Sequence, residues 1–154
     1  MEYLIVKWLH ILSSTLLFGT GLGSAYYMYF ANRCGDPRVI AVVTRHVVWA
    51  DWLFTTPTVI FQPLSGLYLA YLAGFPLLSG WIIWSFALYF LAGACWLPVV
   101  WLQLRMRDMA EAAHRHGQTL PPLYWRYGRI WLGLGIPAFI AMVIVFYLMV
   151  VKPL

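Results

Sequence analysis

Charged residues are scarce in this sequence, and their scarcity excludes a soluble globular domain. Only 10% of the 154 residues are charged and only five are acidic, whereas a soluble domain carries about 25% charged residues. The two cysteines form no Cys-x-x-Cys or Cys/His cluster, and no phosphate-binding loop, paired carboxylates or nucleophile–base arrangement is visible. Hydrophobic residues instead make up 63% of the chain, with a mean hydropathy of +0.78. The composition therefore indicates an integral membrane protein.

Four long apolar segments predict the fold. Each is long enough to cross the hydrocarbon core as a helix, which takes about 20 residues. We expect spans over residues 3–31, 52–74, 81–103 and 129–151. The predicted fold is thus all-α, a four-transmembrane-helix antiparallel bundle that forms a single integral membrane domain over residues 1–154. The segments 38–51 and 104–116 have helical periodicity and are expected to extend spans two and three beyond the bilayer.

Positive charge is unevenly distributed between the two ends of the predicted bundle. Of the 10 Lys and Arg residues, all except Lys7 and Lys152 lie in or beside the two long connections. The positive-inside rule therefore places the long basic loops in the cytoplasm and both termini on the outer side. Topology and the surrounding membrane lipid account for the net charge of +5, so no nucleic acid partner is predicted.

One histidine, His10, lies within a predicted span. It is about seven residues inside the outer edge, or roughly 10 Å deep at about 1.5 Å per residue. Ionisable groups at membrane depth tend to be functional, and neutral imidazole is a good ligand for iron or copper. We predict that His10 is the axial ligand of haem b and that Ser14, on the same helix face, lines the cofactor site. The second ligand is Met142, a His10 from another subunit, or water; a five-coordinate site and a structural histidine bonded within the bundle are the alternatives.

A single acidic residue, Asp51, marks the inner edge of the second predicted span. Arg105 and Arg129 are expected at the same level on spans three and four. A buried carboxylate normally needs a partner, so we predict a structural ion pair of Asp51 with these arginines. Proton uptake through Asp51 is the alternative role.

The second predicted span contains two prolines, Pro57 and Pro63, among hydroxyl and amide side chains. Each proline removes a backbone donor and frees a carbonyl. One interpretation is a pair of kinks repaired by the nearby hydroxyl groups. The other is a polar seam that lines a cofactor or quinone pocket.

Small residues indicate where helices touch one another. Thr15, Gly19 and Gly23 recur at four-residue steps on span one, and Gly66 and Ala70 do so on span two. Such stripes allow close helix packing in lipid. The opposite face of span one, which contains His10 and Ser14, is also small and polar. Span one is therefore expected to be contacted on both sides, by its own bundle and by a cofactor, a second copy of the chain or another membrane subunit.

The sequence resembles a family of short, uncharacterised bacterial integral membrane proteins over its whole length. The resemblance is carried by KWLHILSSTLLFGTGLGSAYYM, DWLFTTPTVIFQPLSGLYLA, LAGACWLPVVWLQLRMRDM and YLMVVKPL. It implies a multi-pass protein of the bacterial inner membrane. More distantly, the chain is similar to the HemJ-type protoporphyrinogen oxidases and to copper-resistance D-type membrane domains.

The HemJ-type resemblance is carried by three short elements: Lys7 with His10, Thr56 with Pro57, and the terminal Val-Lys-Pro. It implies that the haem b histidine of that family corresponds to His10. Three charged positions of the HemJ-type family fall here near Ser85, Tyr26 and Gly135. Their loss argues against protoporphyrinogen oxidation and is compatible with haem binding.

Three functional predictions follow. The leading one is a b-haem-binding redox membrane protein with His10 as axial ligand, acting in electron transfer or as a small oxidoreductase. The second is a non-enzymatic membrane subunit or assembly factor of a larger complex, in which His10 is structural. The third is copper handling, which is disfavoured because no Met-rich or multi-His cluster is predicted at the outer face.

Overall fold

The structure, a computed structural model, describes residues 1–153 and is all-α, with no strand among those residues. The elements are α1 (Glu2–Cys34), α2 (Pro37–Ala50), a π-helical turn (Asp51–Thr55), α3 (Thr56–Leu72), α4 (Gly80–Arg115) and α5 (Pro122–Val151). Helices α1, α4 and α5 are long and apolar enough to cross a membrane. The second predicted span, 52–74, corresponds to the π turn and α3.

The turn between α1 and α2 is only two residues long. Gly35 ends α1 with φ +72°, a left-handed conformation that glycine adopts without steric cost. Asp36 then caps α2, because its side chain accepts a 2.8 Å hydrogen bond from the backbone N–H of Arg38. Pro37 occupies the first turn of α2, where its missing N–H costs nothing. The two helices are therefore tightly connected at this end of the bundle.

Helix α2 continues into α3 through the π turn, so residues 37–72 form one uninterrupted helix. The π turn lies immediately before Pro57, which cannot donate a backbone hydrogen bond. The Thr56 hydroxyl donates to the Asp51 backbone carbonyl at 2.9 Å and helps to satisfy it. The predicted helical continuity is confirmed at both places, since α4 also continues to Arg115; that these segments lie beyond the bilayer stays a prediction.

Side-chain contacts show which helix termini lie together at each end of the molecule. At one end the Tyr68 hydroxyl donates to Glu2, and the Lys152 ammonium lies 5.1 Å from the Phe75 ring centroid. Both termini and the turn between α3 and α4 therefore share this end, as an antiparallel four-helix arrangement requires. At the other end Arg45 pairs with Glu111 at 3.1 Å. Which end faces the cytoplasm stays a prediction.

The hydrophobic core lies in the half of the molecule that contains α2. Its buried residues come from α1, α2, α4 and α5 and the connection before α5, and include Met28, Ile40, Leu102, Met106 and Tyr124. Tyr124 also donates a 2.6 Å hydrogen bond to Asn32. Helix α1 otherwise packs on α2 and α3, whereas α4 packs on α5 and α2. Contact between α1 and α5 is slight, and this leaves room for a cavity at the centre of the bundle.

The two small-residue stripes have different surroundings. Gly66 on α3 lies against α1, where a Cβ added to it would be 3.4 Å from Cε1 of His10. On α1, Thr15 and Gly19 are exposed, and a Cβ added to Gly19 or Gly23 meets nothing within 4 Å. Contact of this second face with another copy or another subunit stays a prediction.

Candidate functional site

A polar stripe runs along the buried face of the continuous α2–α3 helix. Asp51, Thr55, Thr58, Gln62 and Ser65 are all buried. Their spacing alternates between four and three residues, which places them on one helix face. At about 1.5 Å per residue the stripe is roughly 21 Å long. The stripe begins at the carboxylate of Asp51, beside the hydrophobic core. It ends at Ser65, which contacts His10 toward the end of the molecule where both termini lie.

His10 binds the stripe at its far end. Its Nδ1 lies 2.7 Å from Ser65 Oγ, and Ser65 Oγ itself donates to the Phe61 backbone carbonyl at 2.8 Å. Because the serine proton is used there, Nδ1–H of His10 must donate to Ser65 Oγ. Because the Gln62 side-chain nitrogen, a donor, faces Nε2, we assign the neutral ring with its lone pair on Nε2.

The lone pair of His10 Nε2 has only one long contact. The side-chain nitrogen of Gln62 lies 3.4 Å from His10 Nε2, whereas an N–H donor normally lies at about 2.9–3.0 Å. Gln62 Oε1 is buried and has no hydrogen-bond partner among residues 1–153. The hydrogen-bonding capacity of His10 Nε2 is therefore only partly satisfied by Gln62, and that of the Gln62 amide is also only partly satisfied.

A large cavity lies at the centre of the bundle, between α1, α4, α5 and the π turn with α3. Its volume is about 330 Å³ and its walls are largely apolar. Small-molecule sites in proteins commonly have volumes of about 300–1,000 Å³. Residues from α1, α3, α4 and α5 line it, among them Leu17, Val59, Trp96, Phe139 and Met142. The cavity therefore has the size and character of a site for a small apolar molecule.

One end of this cavity is polar. Asp51 Oδ1 accepts a 2.8 Å hydrogen bond from the Thr55 hydroxyl. Gln103, with its amide nitrogen facing the carboxylate, donates to Asp51 Oδ2 at 2.6 Å and accepts a 3.2 Å bond from Trp131 Nε1. All four side chains are buried and line the cavity. The carboxylate is thus held in place by two donors from two different elements.

The predicted ion pair of Asp51 with Arg105 and Arg129 is not formed. Among residues 1–153 the only ion pairs are Arg45–Glu111 and Arg107–Asp108. Arg105 and Arg129 are exposed. An arginine that faces outward keeps its hydration. The neutral donors Thr55 and Gln103 already form hydrogen bonds with both oxygens of the carboxylate. Asp51 is therefore a buried acidic group at the cavity with no cationic partner among residues 1–153.

The predicted cofactor residues do not surround a common space. Met142 lines the large cavity, whereas His10 and Ser14 line neither cavity. The Ser14 hydroxyl donates to the Ile11 carbonyl of its own helix at 2.7 Å. No group of three or more His, Cys, Asp or Glu side chains that could hold a metal is present within residues 1–153. Haem b and a role for these residues in binding it stay predictions.

A second, smaller cavity of about 50 Å³ lies beside Gln62, Ser85 and Tyr89. Tyr89 lines both cavities and donates a 2.7 Å hydrogen bond to the Val59 carbonyl. Val59 is four residues before Pro63, so its carbonyl lacks the usual helical donor. A side chain from α4 thus replaces the backbone bond that the proline removes. The same arrangement holds the tyrosine ring against the large cavity.

Sequence reasoning missed Gln103, Trp131 and Tyr89 as residues of the site. Gln103 is the clearest of the three in retrospect, because an amide near the end of an apolar span needs a partner. A tryptophan near the end of an apolar span, such as Trp131, is typical of a membrane interface, but its Nε1–H donates to Gln103. Tyr89 carried no signal, since its role depends on a carbonyl of another helix.

Comparison with known proteins identifies a family. The family model described as "Predicted integral membrane protein (DUF2269)" matches residues 4–153. No curated protein and no solved structure matches the chain. The resemblance to HemJ-type oxidases and to copper-resistance D-type domains therefore stays a prediction.

Proposed function

This chain belongs to the family of predicted integral membrane proteins, and we propose that it binds a small amphipathic molecule within the membrane. The observation that carries the proposal is the large cavity with its single polar end. An apolar cavity with a few convergent polar groups is the usual form of a small-molecule site. The apolar body of the ligand would lie among the side chains of α1, α4 and α5. Its polar head would lie at Asp51.

The polar end supports this proposal because packed apolar residues could join the same elements without burying a carboxylate. A carboxylate within a membrane helix costs free energy, up to about 2.5–3.5 kcal/mol at the helix centre on insertion scales and less near the end, where Asp51 is predicted to lie. An apolar residue at position 51 would avoid that cost. Thr55 and Gln103 instead hold the carboxylate at the cavity wall. Such an arrangement favours a ligand that makes use of the carboxylate.

Two glycines on α5 allow a matched test. Gly135 lines the cavity and Gly133 does not, and a Cβ added to either meets nothing within 4 Å. Leucine at either position raises helix propensity by up to about 1 kcal/mol. Only Gly135→Leu reduces the volume of the cavity.

The test is native mass spectrometry of the protein solubilised in mild detergent. We expect a co-purified small molecule on the wild type and on Gly133→Leu, and a clearly lower occupancy on Gly135→Leu, because its dissociation constant should rise at least about tenfold, or about 1.4 kcal/mol. Equal occupancy of all three proteins would contradict the proposal, and so would the absence of any bound molecule from all three.

Haem b at His10 is the second candidate function. The specific observation in its favour is the ring tautomer, because Ser65 fixes Nδ1–H and leaves the Nε2 lone pair with one long contact. A ring N–H held in this way is typical of metal-binding histidines. His10 would hold the iron, and the group would supply one-electron redox chemistry. It ranks second because His10 lines neither of the two cavities described above, so the contact of α1 with Gly66 would have to open.

The optical spectrum of the purified protein tests this candidate. A Soret band that is present in the wild type and in Ser14→Ala, and absent from His10→Ala, supports it. A colourless wild-type protein, prepared from cells supplied with haem, contradicts it.

We further propose that the protein lies in the bacterial inner membrane with its arginine-rich end in the cytoplasm. The arginines of both long connections lie at the end opposite the two termini. This separation of charge supports the orientation under the positive-inside rule.

A further inference from the structure

We infer that the molecule bound in the large cavity is an organic cation whose charge is paired with Asp51. The inference rests on the proposed function and specifies the chemical class of its ligand. Asp51 is only 5% exposed and lies on the cavity wall. No Lys, Arg or His side chain lines the cavity. The carboxylate and the space beside it thus have no positive charge from the described part of the chain.

The hydrogen bonds at the polar end also favour a positive ligand. The Thr55 hydroxyl and the Gln103 amide donate to Asp51, and the Trp131 indole donates to Gln103. These donors are used within the protein. An ionised carboxylate offers about four lone-pair sites, and only two of these are occupied here. The cavity therefore presents acceptors to a ligand, which suits a cation or a strong hydrogen-bond donor and disfavours an anion.

Aromatic rings also line the cavity whose polar end holds the carboxylate. Five of them line the cavity: Phe18, Tyr89, Trp96, Trp131 and Phe139. Ring faces attract cations, most strongly for tryptophan and more strongly away from water. One carboxylate among aromatic walls is a combination that recognises a lipophilic cation by charge and by apolar contact together.

Energetics point the same way. A buried carboxylate without a counter-charge is costly, and a cation at close range offsets part of that cost. A neutral ligand of similar shape would gain only the apolar contacts. The structure thus assigns to Asp51 the role of selecting the charge of the ligand, while the walls select its apolar body.

Three aromatic probes that differ in charge separate these contributions. Tetraphenylphosphonium is a cation, triphenylphosphine oxide is neutral, and tetraphenylborate is an anion. Their dissociation constants are measured by isothermal titration calorimetry on the full chain in a non-ionic detergent. Gly135→Leu in the same detergent provides the reference for uptake into the micelle.

On the wild-type protein we expect the cation to bind at least about ten times more tightly than the oxide, and the borate not to bind above the reference. In Asp51→Asn the cation should bind at least about 30-fold more weakly, the lower range for removal of one partner from a buried charge pair. Binding of the oxide should change less than about threefold, and Asp51→Glu should regain part of the preference for the cation. If Asp51→Asn does not fold, Asp51→Glu takes its place, because a shifted carboxylate should weaken the preference for the cation and leave binding of the oxide unchanged.

The outcomes distinguish the two proposals. If the oxide binds and is lost in Gly135→Leu, but the cation binds no more tightly than the oxide, the inference about charge is wrong and the proposed function stands. A cation preference that persists unchanged in Asp51→Asn also overturns the inference. If none of the probes binds above the Gly135→Leu reference, both proposals fail.

Discussion

The carboxylate of Asp51 and the side-chain amide of Gln103 meet at 2.6 Å across the contact between the π turn and α4. Gln103 also accepts from Trp131 of α5. One amide therefore connects three elements at the wall of the cavity. Both its oxygen and its nitrogen are used, so no other side chain of similar size could replace it without loss.

Replacement of Gln103 should destabilise the protein. In Gln103→Leu the Trp131 N–H loses its acceptor and Asp51 loses a donor, and a buried polar group left without a partner costs about 1–3 kcal/mol. We expect the free energy of unfolding, measured by titration with sodium dodecyl sulfate, to fall by at least about 1 kcal/mol. Gln118→Leu is the control, because Gln118 is exposed and its replacement should change stability by less than about 0.5 kcal/mol. Equal effects of the two substitutions would contradict the described network.

The Tyr89 hydroxyl should matter only because of Pro63. Tyr89→Phe removes the donor to the Val59 carbonyl, and buried side-chain hydrogen bonds in membrane proteins contribute about 0.6 kcal/mol on average, with a maximum near 1.7. Pro63→Ala restores a backbone N–H that can donate to the same carbonyl. In a double-mutant cycle the cost of Tyr89→Phe should therefore fall by at least half when position 63 is alanine. An identical cost in both backgrounds would show that the tyrosine does not replace the missing backbone bond.

Ser65 should contribute more to stability than Ser14, although both are buried on the α1–α3 side of the molecule. Ser65 accepts from His10 on another helix, whereas Ser14 donates only within its own helix. We expect Ser65→Ala to lower the free energy of unfolding by about 1–3 kcal/mol, because His10 Nδ1–H loses its acceptor. Ser14→Ala should change it by less than about 0.5 kcal/mol. In the His10→Ala background the cost of Ser65→Ala should disappear, and a persistent cost there would contradict the role given to Ser65.

Cys34 reports the orientation of the bundle in the membrane. It is exposed at the arginine-rich end of α1, and Cys95→Ala leaves it as the single thiol of the chain. A membrane-impermeant maleimide should label Cys34 in inverted membrane vesicles and not in intact spheroplasts. Leu78, which is 85% exposed in the turn between α3 and α4, provides the opposite control. A chain that carries Leu78→Cys with both natural cysteines replaced by alanine should be labelled in spheroplasts, and the reverse pattern would invert the proposed topology.

The helices could be predicted from the sequence because their cause is local. Uninterrupted apolar runs set the positions of α1, α4 and α5, and helical periodicity predicted that the helices continue beyond the apolar segments. The predicted end of span four coincides with the end of α5 at Val151. The other ends differ by one to a dozen residues, since the amphipathic ends of α4 and α5 are less apolar than their centres. The π turn at Asp51–Thr55 could not be predicted, because its effect is a change of one residue in the hydrogen-bond register.

The site was less predictable because its parts come from different helices. His10 and Asp51 were recognised as unusual, since ionisable groups are rare in apolar spans. Their partners were not recognised: Asp51 is bound by Thr55 and Gln103 instead of the arginines. The cavity depends on how far α1 and α5 lie apart, and no residue pattern specifies that distance. A polar residue in a membrane helix thus indicates that it has a hydrogen-bond or ion-pair partner. Which residue is that partner depends on the tertiary structure.

The most direct test of the cavity as a ligand site is an NMR titration of the protein with its tryptophan indoles labelled with 15N. The probe is triphenylphosphine oxide, and the nine indole resonances are assigned by single Trp→Phe variants. The account predicts that the signals of Trp96 and Trp131, which line the cavity, shift with the probe in the wild type and in Gly133→Leu. It also predicts that these shifts are lost in Gly135→Leu, while exposed Trp8 and Trp125 respond equally in all three proteins. Unshifted signals of Trp96 and Trp131, or shifts that persist in Gly135→Leu, would contradict it.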